Sequence, residues 1–199
     1  MSEFTSGFLT LNTKKSLDSL AEQSSVIKAA ELNAEWLIFL NGDAILGNDV
    51  PDYVKQISMV LPVLYFYYDK DHCWGYKLFE SGEMAADFEL DYEAKNSMVI
   101  ELAEKLYPDK DIIAFLYLDE EGSEIRERLD EIVEDNYLEM VRMNFEKANL
   151  DSFNLFHKSE DTINKLKNIM RVEYFQTLVS PHELVEEFKE LIGISEMSR

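Results

Sequence analysis

The stretch that decides the fold is residues 63–90, VLYFYYDKDHCWGYKLFESGEMAADFEL. Its opening, Val63 to Tyr68, is aliphatic or aromatic at every position, the composition of a strand covered on both faces. Trp74 to Phe79 alternates instead, with Trp74, Tyr76 and Leu78 on one face and Lys77 on the other. Met84 to Leu90 repeats the pattern, setting Ala86, Phe88 and Leu90 against Asp87 and Glu89. The link Glu80-Ser81-Gly82-Glu83 has the length and chemistry of a tight hairpin. These segments predict a three-stranded antiparallel meander.

Working outward, Phe8 to Leu11 reads as a short strand and Ser16 to Gln23 as a helix carrying Leu17, Leu20 and Ala21. Val26 to Glu31 fits either state. Trp36 to Leu40 is a continuous apolar run, a buried strand that stops at the turn signal Asn41-Gly42-Asp43. A second turn signal, Gly47-Asn48-Asp49, precedes a helix from Pro51 to Leu61, which Pro62 ends. Ser97 to Leu106 predicts a helix with Val99, Leu102, Ala103 and Leu106 inward. Ile112 to Leu118 is all apolar and reads as one more strand.

From Ser123 the period becomes helical. Ile125, Leu129, Ile132, Val133, Met140, Val141 and Phe145 fit one long helix or two abutting ones. Thr162 to Tyr174 predicts another. The last helix is punctuated by Ser180 as cap, Pro181 at the first position, Glu183 to complete a capping box, and Gly193 as stop. The assembly expected is α+β: a mostly antiparallel sheet of about five strands, helices packed on one side, and a helical C-terminal third. With no Gly/Ser/Pro-rich linker, the expectation is a single domain over 1–199, with 1–118 β-rich and 119–199 helical and packed on it.

Acids outnumber bases 40 to 19, giving a net charge of -21. That balance excludes retention on nucleic-acid phosphates by general electrostatics, and it sets the surface against anionic lipid headgroups. A 12% aromatic content with only 7 Gly and 4 Pro excludes a disordered or fibrous chain. The lone Cys73 precludes an internal disulfide. The opening Met1-Ser2-Glu3-Phe4 has an acid where a secretory leader is basic. The longest apolar run, Met59 to Tyr68, contains Pro62 and falls well short of the ~20 residues a bilayer requires. A cytoplasmic protein is expected.

Two constellations stand out. The first is Asp69-Lys70-Asp71-His72-Cys73-Trp74, where Asp69, Asp71, His72 and Trp74 form a candidate ligand site. The span Asp69 to Glu80 has the length of a calcium loop, but Trp74 occupies the position where that loop demands Gly. The plainer reading is a polar turn built on Asp. His72 and Cys73, as neighbours on an extended segment, point to opposite faces and make no thiolate–imidazolium pair. The second is the acidic run from Asp119 to Glu139, ten acids against Arg126 and Arg128. Asp119, Glu120, Glu121, Glu124, Glu127 and Glu131 are its candidate partner-binding residues, a strip for a basic protein; the plainer reading is a solvated helix face.

The aromatic set from Tyr65 to Phe79 lacks the basic residues of a base-stacking platform and suits core packing. There is no glycine-rich phosphate loop, dinucleotide fingerprint, HExxH, paired CxxC or GxSxG. No cofactor, metal or catalytic residue is expected from the sequence. Three functions follow in order: a binding or inhibitory protein, antitoxin- or immunity-like or an adaptor, engaging a basic partner; an enzyme or small-ligand or metal binder with its site near Asp69–Trp74; and a structural subunit that forms a homodimer.

Overall fold

The computed structural model describes residues 4–23, 26, 28–40 and 51–198. The turn signals at 41–43 and 47–49 lie outside the described residues. Among the described residues, six strands form one antiparallel sheet: β1 (Phe4–Leu11), β2 (Lys28–Glu31), β3 (Trp36–Leu40), β4 (Val63–Asp69), β5 (Cys73–Glu80) and β6 (Glu83–Asp91), in the order β2-β3-β1-β4-β5-β6. The meander β4–β5–β6 stands as the alternation predicts. Its second turn has both central residues left-handed, Ser81 at φ 53° and Gly82 at φ 81°, the two-residue geometry that matches strand twist. Of the ambiguous segment Val26 to Glu31, residues Lys28–Glu31 form the edge strand β2.

Three apolar interiors organise the molecule. One face of the sheet presents Phe66, Trp74, Tyr76 and Phe88 to helices from the C-terminal part. Phe188 sits among them, its ring centroid 5.1 Å from that of Tyr76, 5.0 Å from Trp74 and 5.8 Å from Phe153. The opposite face carries Phe8, Leu37, Phe39, Tyr65 and Phe79. It is covered by Leu20 of α1 (Lys14–Ala21) and by Val54 and Ile57 of α2 (Asp52–Ser58). Helices therefore lie on both faces, not on one. This explains why β4 is apolar without alternation: Val63, Tyr65 and Tyr67 serve one interior and Leu64, Phe66 and Tyr68 the other.

The third interior lies within the helices that follow β6: α3 (Ala94–Leu106), α4 (Ile112–Leu118) and the first half of α5 (Glu120–Lys147). Here the expectation of a strand over Ile112–Leu118 is corrected. The segment is helical, because the Asp111 side chain accepts a hydrogen bond from the Ala114 amide and caps it, and because its neighbours are helices rather than a strand edge. The strand-rich part of the chain thus ends at Asp91, and from Ala94 onward every element is helical.

The 28-residue α5 is one uninterrupted helix. Leu129 and Val133 belong to the third interior, whereas Val141, Phe145 and Ala148 pack on the sheet. A 3-10 segment, Leu150–Phe156, leads to α6 (Glu160–Ile169), the short α7 (Val172–Phe175) and α8 (His182–Ile192). Gly193 ends α8 at φ 73°, with the Ile194 amide donating to the Lys189 carbonyl at 2.8 Å, the paired bonding of a glycine-terminated helix. Across the seam, the Trp36 indole N–H donates to the Ile192 carbonyl at 2.8 Å and the Tyr76 hydroxyl to the Ala148 carbonyl at 2.7 Å. No helix among the described residues is long and apolar enough to cross a membrane.

Candidate functional site

The acidic strip begins with residues that build the helix carrying it. Asp119 caps α5, its carboxylate accepting from the amides of Glu121 at 2.9 Å and Gly122 at 3.3 Å. Glu120 and Glu121 occupy the first turn, where negative charge complements the helix dipole. Glu124, Glu127 and Glu131 are exposed, and no ion pair among the described residues reaches them. Farther along, Glu134 is paired with Lys95 of α3 at 2.5 Å. Arg126 stacks on Tyr117 of α4, 4.3 Å from the ring centroid. The six partner-binding candidates therefore share one helical stretch and all face solvent.

The Asp69–Trp74 set is divided by the sheet. Asp69 folds back on the turn, its carboxylate accepting from the Asp71 amide at 3.3 Å and its carbonyl from the His72 amide at 3.1 Å. His72 pairs through Nδ1 with Glu93 Oε2 at 2.7 Å. That hydrogen bond and the Glu93 charge, with smaller contributions from Asp69 and Asp71, raise its pKa above the usual histidine value. Trp74 is wholly buried on the sheet face packed by α8, against Phe88 and Phe188. The structure groups Asp69, Asp71 and His72 at a polar turn and places Trp74 apart from them in an interior. Cys73 pairs with Asp69 in register and is half-buried. Burial first, then the nearby Glu89, Asp69, Asp91 and Glu93, push its thiol up to about 12, so it carries almost no thiolate near neutral pH. No cluster of three His, Cys, Asp or Glu side chains able to hold a metal occurs among the described residues.

Among the described residues several concavities join residues the sequence gave no reason to combine, one of them between α6 and α8; two others bear on the candidate site. A cleft of about 550 Å³ opens where β1 and β3 meet the loop before α6, lined by Asn12, Glu35, His157, Lys158 and Glu190 among others. Its ammonium group is already used: Lys158 Nζ lies 2.6 Å from Glu35 Oε2 and 5.2 Å from the Trp36 ring centroid. His157 holds a left-handed backbone, φ 56°, an uncommon conformation for a residue with a side chain.

The second is a groove of about 470 Å³ between α3 and α4, lined in part by Ile100, Tyr107, Ile112 and Ile113, with Glu104 and Asp111 at the same site. Beside it α4 turns apolar residues outward: Ile113 is 56% exposed, Tyr117 40% and Leu118 85%. The only sequence signal for this surface was the seven-residue run IIAFLYL itself. Comparison with protein-family models, with curated proteins and with solved structures finds no match.

Proposed function

We propose that this chain is a binding or inhibitory protein that presents its acidic helical end to a basic protein partner in the cytosol, in the manner of an antitoxin or immunity protein. The observation that carries this reading is the exposure of Glu120, Glu121, Glu124, Glu127 and Glu131 along one helix, beside an outward apolar face on α4. Residues 94–134 hold twelve acids against five basic side chains, so this end concentrates the negative field of the molecule. Such a field speeds encounter with a positively charged partner and rejects anionic ones. It supplies rate and selectivity more than affinity, so the closing contacts must come from elsewhere.

The test is affinity capture at low salt with the intact chain as bait, followed by association kinetics on the captured protein. A high-pI partner is expected, with an association rate that falls steeply as salt rises. Replacing Glu124, Glu127 and Glu131 together by Lys should slow association. Replacing the equally exposed Glu22, Glu80 and Glu173 by Lys should do so far less. Recovery of no basic protein, or equal effects from the two triple variants, would refute the reading.

A further inference from the structure

An isolated exposed Leu or Ile is ordinary on a protein surface. Helix α4 is different, because none of its seven residues is charged and its only polar atom beyond the backbone is the Tyr117 hydroxyl. A helix apolar all round is expected to be covered all round. Only one side is covered here, by Ile112, Phe115 and Leu116 in the third interior. The other side leaves Ile113 and Leu118 in solvent, with Tyr117 between them half-covered by Arg126 and donating its hydroxyl to Asn96 Oδ1, and Ile113 lines the groove against α3.

We infer that this groove seats an apolar side chain from a basic amphipathic segment of the partner, with the outward face of α4 as its shoulder. The inference rests on the proposed engagement of a basic protein and assigns the place where that protein is gripped. Charge complementarity selects the occupant. Glu104 and Asp111 lie among the groove residues, with Asp109 adjacent in sequence. Lys110, the basic residue among them, sits 4.5 Å from the Phe115 ring centroid. A helix that sets one apolar anchor in the groove and lysines or arginines on the flanking turns would bring its cations to the Glu104 and Asp111 carboxylates. A second copy of this chain would bring a net charge of -21 against the same acidic groove residues, and anionic lipid headgroups and nucleic-acid phosphates carry the wrong sign.

The test uses two fluorescent probes of equal positive charge, a helical peptide of leucine and lysine with a single apolar face and an unstructured oligolysine. Their binding to the full chain is followed by anisotropy. The amphipathic peptide is expected to bind about tenfold or more tightly than oligolysine, since it alone can bury an anchor. The variant Ile113→Ser, at a position already half in solvent, should weaken the amphipathic peptide about tenfold and leave oligolysine unchanged. Its thermal midpoint should match the parent. Amphipathic binding that Ile113→Ser does not alter would overturn the groove assignment while the basic-partner reading stands. Failure of both probes to bind at low salt would overturn both. A dimer in sedimentation that Ile113→Ser dissociates would overturn the assignment in favour of a second copy.

Discussion

Replacing Gly122 by Ala should destabilise the protein, against the ordinary rule for helices. Gly122 lies in the first turn of α5, and in a free helix Gly→Ala gains up to about 1 kcal/mol through backbone entropy. Here α5 crosses the end of α4 at van der Waals contact. A Cβ at position 122 would stand 1.7 Å from the Phe115 carbonyl oxygen and 2.5 Å from its carbonyl carbon. Both obstacles are backbone, so no rotamer change relieves them, and the two helices must separate by more than an ångström. Overpacking of this kind costs about 1–3 kcal/mol or more, which exceeds the propensity gain. A net loss of about 1–2 kcal/mol is expected. Urea unfolding of Gly122→Ala beside the exposed control Ser123→Ala measures it, with the control staying within about 0.5 kcal/mol of the parent. Amide exchange should show the loosening first in α3 and α4. A Gly122→Ala protein as stable as the parent, or more so, would refute the close crossing of α4 and α5.

Two further outcomes follow from single contacts. Tyr76→Phe removes the hydroxyl that donates to the Ala148 carbonyl from a fully buried ring, and a loss of about 1–2 kcal/mol in urea unfolding is expected; an unchanged midpoint would contradict the bond. His72 should titrate by NMR above the usual midpoint near 6.5, because Glu93 favours its charged form. Its contribution to folding is then full below the unfolded-state value and disappears as pH rises through the folded-state one. Glu93→Gln should return the midpoint toward normal, and identical titrations in parent and variant would dismiss the pair.

Legibility of the fold followed the kind of pattern each segment carries. The meander was readable because Trp74, Tyr76, Leu78 and Ala86, Phe88, Leu90 alternate with charged neighbours, and alternation has one structural meaning. Ile112–Leu118 was not, because a short all-apolar run satisfies a strand or a helix equally. The deciding signal was Asp111, whose side chain caps the first turn. The apolar residues of α1 and α2 gave no sign of which sheet face they would cover, so the second helical layer escaped notice. Grouping Trp74 with Asp69, Asp71 and His72 conflicted with the alternation that sends Trp74 inward, and the structure follows the alternation. The acidic strip was legible because it is local to one helix. The cleft at His157 and Lys158 and the groove beside α4 were not, because each joins segments that only the folded chain brings together.

The undivided α5 has a mechanical consequence. A rod of 28 residues, about 42 Å at the helical rise, is clamped at one end by α3 and α4 and at the other by the sheet. It contains no proline to act as a joint, and its one glycine lies in the opening turn. Tension applied at the acidic end is therefore delivered to Val141 and Phe145 without an intervening hinge, and the two ends of the molecule should yield to heat as one transition.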